Sequence, residues 1–211
     1  MKKRFFLPVL LAALCACNAA VPTPNPTANP TPAPAATPAV EAQSADALTL
    51  EEKVGQLFIV RPDALDLSLS QEMINDAKAD GVTTVTNDMR RALQQYPVGG
   101  ICQFGKNIES PSQLARFNKE LQDASATPLF IAVDEEGGPI ARLANNDAFT
   151  LPRYASAAAV GASGNPEDAR AMGQTIGAYL KEYGFTMDFA PDADVNTNPD
   201  NPIIGSRAFS S

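Results

Sequence analysis

Two groups of carboxylates stand where this chain could do chemistry. Asp134, Glu135 and Glu136 follow the apolar run Phe130-Ile131-Ala132-Val133 and precede Gly137 and Gly138. Asp188, Asp192 and Asp194 lie at or beyond the end of a second run that starts at Phe185. Short apolar runs rich in branched side chains read as buried strands. Acids and glycines at their ends put carboxylates on the C-terminal edge, where α/β enzymes build their active-site loops. Two chemistries use such a set. Glycoside hydrolysis needs two carboxylates flanking the scissile bond, one as acid and one as nucleophile or base. A hard divalent cation such as magnesium or calcium takes several carboxylate oxygens. A third reading has no chemistry in it: the acids favour the starts of helices or pair with Arg142 and Arg207.

Composition narrows the choice. The 211 residues include no His and no Trp, so a Ser-His-Asp triad, a His metal ligand and an imidazole acid cannot be assembled from them. Any acid or base is a carboxylate, Lys, Tyr or Cys. The net charge of −8 becomes more negative once Lys2, Lys3 and Arg4 are set aside. No basic stripe follows them, which argues against nucleic acid as a partner. Of the three cysteines, only Cys102 lies in the body of the chain. Its setting, Val98-Gly99-Gly100-Ile101-Cys102-Gln103-Phe104, reads as that of a buried small hydrophobe.

The elements that must carry these residues are legible in outline. Residues 1–17 have a basic start, an apolar stretch from Phe5 to Leu14 and small residues before Cys17. That is the pattern of an export signal, too short to span a bilayer. Residues 18–45 are rich in Pro, Thr and Ala and read as an extended tether. From Asp46 the pattern is globular. Thr49-Leu50-Glu51-Glu52 is a capping box opening a helix from Leu50 to about Leu57, and Phe58-Ile59-Val60 runs into a first strand. Helices are predicted over Ser70 to Ala79 and Asn87 to Tyr96, and a strand over Val98 to Phe104.

Ser110-Pro111 caps the next helix, with Leu114, Phe117 and Leu121 as its buried stripe. Asn165-Pro166 starts a long helix whose Ala169, Met172, Ile176, Leu180 and Tyr183 face inward, and Gly184 ends it. Phe185 to Phe189 is a further strand. Strand and helix alternate with crossover spacing, so the fold class is α/β with a parallel sheet. A complete eight-unit barrel needs about 250 residues, more than the body of this chain holds.

Several spaced motifs resemble glycoside hydrolase family 3, and within it the bacterial β-N-acetylhexosaminidases. They are Asp134-Glu135-Glu136-Gly137-Gly138 with Arg142, Asp188-Phe189-Ala190-Pro191 leading to Asp194-Val195-Asn196, and Asn201-Pro202-Ile203-Ile204-Gly205-Ser206-Arg207-Ala208-Phe209. Glu51-Glu52-Lys53-Val54-Gly55-Gln56, Val98-Gly99-Gly100-Ile101 and Gly105-Lys106-Asn107-Ile108 fit as well. Pro139 and Asp192 stand where close relatives often have Arg and an apolar residue.

The resemblance implies a (β/α)8 TIM-type barrel, incomplete in this chain, occupying residues 46–211. It also implies retaining hydrolysis of β-linked N-acetylglucosamine through a covalent glycosyl-enzyme. Asp134, Arg142 and Arg207 become substrate-binding residues, with Glu135, Glu136, Asp188 and Asp194 in supporting roles. The nucleophilic Asp and the acid/base His are expected after Ser211, so the 211 residues by themselves are expected to be inactive, and neither metal nor cofactor is implied.

Leu14-Cys15-Ala16-Cys17 resembles a lipobox, which makes Cys17 the lipidation site. The expected setting is an exported domain held at the bacterial membrane by a lipid anchor, acting on cell-wall or chitin-type glycans. Alternatives are a non-catalytic sugar-binding lipoprotein and a β-glucosidase-type member of the same family.

Overall fold

The computed structural model describes residues 45–210. The expected signal, its Cys17 and nearly all of the tether lie outside the described residues. In chain order these residues form α1 (Leu50–Gly55), β1 (Ile59–Val60), α2 (Gln71–Asn75), α3 (Asn87–Gln95), β2 (Gly100–Cys102), α4 (Pro111–Ala124), β3 (Phe130–Val133), β4 (Glu135–Gly137), β5 (Ile140–Ala141), α5 (Ala157–Gly161), α6 (Pro166–Glu182) and β6 (Met187–Asp188). Strands β1, β2, β3 and β6 make one parallel sheet in that order, and β4 and β5 form a separate antiparallel pair. The sheet is not closed among the described residues.

Local chemistry explains most boundaries. The capping box at α1 is complete: Thr49 N donates to Glu52 Oε2 at 2.7 Å, and Glu52 N to Thr49 Oγ1 at 3.2 Å. Ser110 caps α4 by accepting from Gln113 N, and Asn165 caps α6 by accepting from Glu167 N. Gly184 follows α6 at φ +85°, a conformation that L side chains rarely adopt. The helix expected over 70–79 is reduced to Gln71–Asn75. Asp76 leaves the helical region there, and its carboxylate accepts from Lys78 N, a local bond that competes with helix continuation. Strands β1, β2 and β6 are likewise shorter than the apolar runs that announce them.

Register determines what faces where. Gly100, Ile101 and Cys102 of β2 stand level with Phe130, Ile131 and Ala132 of β3, and Val60 of β1 stands level with Ile101. Side chains level with one another in a parallel sheet share a face, and the face alternates along each strand. Ile101, Ile131 and Val133 belong to one buried cluster with Leu114, Phe117 and Leu121 of α4. Buried Gln103 donates to Asn118 on that helix. The opposite face carries Phe130, 51 % exposed, and further along it carries Cys102, Phe104 and Asp134.

Among the described residues the flanks are open. Both β1 and β6 have a single neighbour in the sheet. The apolar stripe of the first helix is present but uncovered, with Leu50 72 % and Phe58 55 % exposed. Amphipathicity supplied the stripe, which lines an open hollow with Tyr96, Pro97 and Val98.

Candidate functional site

Three consecutive acids leave β3 and point alternately. Glu135 turns inward and is fully buried. Its Oε2 accepts from Leu143 N at 2.8 Å, and its Oε1 accepts from Ala144 N at 2.9 Å and from the Tyr179 hydroxyl at 2.8 Å. One carboxylate therefore joins β4, the segment after β5, and α6. Such a charge is tolerable in the interior only because three donors meet it. Burial and the Glu135 charge push Tyr179 well above the usual phenol range, so it stays a donor. Asp188 at the end of β6 accepts from Glu135 N at 3.0 Å. Burial is the main reason its carboxyl is pushed up to about 6.

Pinning Leu143 also places Arg142. Its Nε donates to Asp134 Oδ1 at 2.7 Å and its Nη2 pairs with Oδ2, a two-pronged contact that fixes the guanidinium plane. The bond to Asp134 is the first cause holding Arg142 above its ordinary range. Glu136 makes the equivalent pair with Arg207: Nε to Oε2 at 2.8 Å and Nη2 to Oε1 at 2.7 Å. Arg207 Nη2 also lies 3.1 Å from Asp192 Oδ2. Asp134 and Glu136 are alternate residues in extended backbone, so both ion pairs stand on one side of the loop, opposite Glu135.

The β4–β5 hairpin was not legible in advance. Gly137 and Gly138 bend it at φ +80° and +65°, and a Cβ on Gly138 would lie 2.7 Å from Ser156 Cα. The glycines therefore return the chain so that Arg142 folds back onto Asp134.

The seven residues singled out in the sequence are not one cluster. Asp134 with Arg142 and Glu136 with Arg207 are neighbouring pairs, while Glu135 and Asp188 lie beneath and hold them. Asp194 is exposed, and its N–H donates to Asp192 Oδ1 at 2.9 Å. That bond holds Asp192 below the usual carboxylate range, and the contact between the two carboxyl groups pushes Asp194 up. Reading the acids as helix starts fails here, because Asp134, Glu135 and Glu136 lead into a hairpin. Among the described residues no group of three or more His, Cys, Asp or Glu is placed to hold a metal ion. The carboxylates are instead met by guanidinium and N–H donors.

Three further residues belong to the site. Tyr179 is one; a tyrosine three residues from Ile176 in a buried stripe needs a partner for its hydroxyl, and that was the available signal. Arg61 and Phe104 follow β1 and β2, with Arg61 Cζ 4.6 Å and Arg142 Cζ 5.8 Å from the Phe104 ring centroid. Cys102, level with Ala132, is only half-buried, and its thiol is pushed up to about 11, chiefly by burial.

The model of the glycosyl hydrolase family 3 N-terminal domain matches residues 49–211. The chain belongs to glycosyl hydrolase family 3. Beta-hexosaminidase A of Pseudoalteromonas piscicida is 33 % identical over 146 residues, which cover 67 % of this chain and 24 % of that protein. Beta-hexosaminidase LpqI of Mycobacterium tuberculosis is 32 % identical over 168 residues, 78 % of this chain and 36 % of the relative. The solved family 3 β-N-acetylglucosaminidase of Paenibacillus sp. superposes with a TM-score of 0.61 at 35 % identity, covering 77 % of this chain and 28 % of that one. The family 3 chain spans between about a quarter and a little over a third of the length of these relatives. In the family's terms, the four-stranded sheet is part of a TIM-type barrel wall, and the paired acids stand at the C-terminal ends of its strands.

Proposed function

We propose that this segment holds the sugar in a β-N-acetylhexosaminidase, a hydrolase that removes terminal β-linked N-acetylglucosamine with retention at the anomeric carbon. The observation that carries the reading is the two-pronged Asp134–Arg142 pair at the C-terminal rim of a parallel sheet, held from below by buried Glu135. A carboxylate so fixed accepts from two sugar hydroxyls with its remaining lone pairs, and the guanidinium orients it at no further entropic cost. Arg207, already bound to Glu136 and Asp192, acts through its pairing and orders the neighbouring loop.

With no His among the 211 residues, an imidazole acid/base requires residues other than these, and the covalent step calls for a carboxylate nucleophile besides. The relatives' printed names support an N-acetylglucosamine-containing glycan as the substrate class; a cell-wall or chitin-type source is part of the proposal. The test is calorimetric titration of the chain with N-acetylglucosamine. Asp134→Ala is expected to weaken binding at least about tenfold, the value of a charge-assisted hydrogen bond or more. Equal binding by wild type and variant overturns the assignment, and turnover of a chromogenic β-N-acetylglucosaminide by the 211-residue chain overturns its expected inactivity.

The same reading places the domain outside the cytoplasm, anchored through lipid on Cys17. Support comes from the lipobox pattern alone. Metabolic labelling with a radioactive fatty acid is expected to mark the wild-type chain and not Cys17→Ala, and equal labelling removes the assignment.

A further inference from the structure

Arg61 differs from the other two rim arginines. Arg142 and Arg207 are each engaged by a carboxylate, but among the described residues no carboxylate lies within ion-pair distance of Arg61. Its Nη1 donates to Ile74 O at 2.9 Å and reaches Asn75 Oδ1 at 3.4 Å. Its Nε and Nη2 meet no acceptor among the described residues. The guanidinium lies over the Phe104 ring, which fixes its plane. These contacts orient the group and leave free the Nε/Nη2 edge, the one whose parallel N–H bonds match a carboxylate.

Its position in the sheet is equally specific. Val60 is level with Ile101, and Cys102 with Ala132, so Arg61 follows in the row of Cys102 and Ala132. Arg61 and Phe104 are both extended. Alternation then puts Arg61, Cys102, Phe104 and Asp134 on one face. The charges of Asp134, Arg61 and Arg142 all reach the Cys102 thiol, consistent with one cluster. Arg61 Cζ and Arg142 Cζ lie 4.6 Å and 5.8 Å from the centroid of the same Phe104 ring, so Arg61 stands beside the Asp134–Arg142 pair, towards the unit next to the sugar held there.

We propose that Arg61 recognises a carboxylate on the sugar adjoining the N-acetylglucosamine held at Asp134, and so selects acidic over neutral glycans. The inference rests on the sugar-holding reading of Asp134 and Arg142. The probes are N,N′-diacetylchitobiose and N,N′-diacetylchitobionic acid, whose terminal unit carries a carboxylate, titrated calorimetrically into the chain at low and high salt. The acid is expected to bind the wild type about tenfold more tightly than the neutral disaccharide, the value of a charge-assisted hydrogen bond.

In Arg61→Met, which keeps the apolar stem over Phe104, that ratio should fall to near one. Arg61→Lys, which keeps the charge but not the fork, should retain a smaller ratio that high salt removes. Circular dichroism melts verify that the variants are folded. Equal binding of both disaccharides to wild type, or a preference that survives Arg61→Met, overturns the role of Arg61 while leaving the Asp134 site intact. Failure of the folded wild type to bind either disaccharide overturns both.

Discussion

Charge at individual residues is arranged for position as much as for contact. Asp188 is the clearest case. Burial raises its carboxyl to about 6, above its ordinary value near 4, so between those limits this group is more protonated in the folded chain than in the unfolded one. The contribution of Asp188 to stability therefore falls as pH rises through about 4 to 6, the reverse of the usual salt-bridged carboxylate. Asp188→Asn keeps an oxygen to accept from Glu135 N and removes the charge. Urea unfolding at a series of pH values should show the wild type losing stability from pH 4 to 6 relative to the variant, with the variant equal or more stable at pH 7. A variant curve parallel to the wild type over that range contradicts the shift.

Among the elements, the β4–β5 hairpin matters most, because its pairs are held from beneath by Glu135. Tyr179→Phe removes one donor to that buried carboxylate without changing the ring's packing. Hydrogen bonds to charged groups contribute about 2 kcal/mol, which for a chain of this size lowers the melting midpoint by about 5 °C. An unchanged midpoint shows that Glu135 is held sufficiently by Leu143 and Ala144 alone. The hairpin also explains why supporting roles were hard to separate from binding roles in the sequence. Three consecutive acids carry no label for which turns inward, and the alternation became readable only with β4 in place. The capped helices were legible because their signals are local: Thr49 with Glu52, Ser110 with Pro111, and Asn165 with Pro166.

At the scale of the whole molecule, the sheet presents, among the described residues, two unpaired flanks and an uncovered apolar stripe at Leu50, Val54 and Phe58. Beside the stripe, Tyr96 is also half-exposed. Contiguous apolar surface of this kind binds hydrophobic probes, and open strand edges pair with other chains. The 211-residue chain is therefore expected to enhance the fluorescence of anilinonaphthalene sulfonate in native buffer and to self-associate with rising concentration in sedimentation velocity. A monomer without dye binding shows that the flanks are covered in solution.

What the sequence determined by itself was the alternation of strands and helices, the caps, the acidic strand ends and the family, because periodicity, capping and motif spacing are properties of neighbouring residues. Partner choice was decided only by the tertiary structure: Arg142 with Asp134, Arg207 with Glu136, Tyr179 beneath Glu135, and Arg61 over Phe104. Those contacts join residues as far as 71 positions apart, and they follow from strand register and a glycine-bent hairpin, neither of which is written in local pattern.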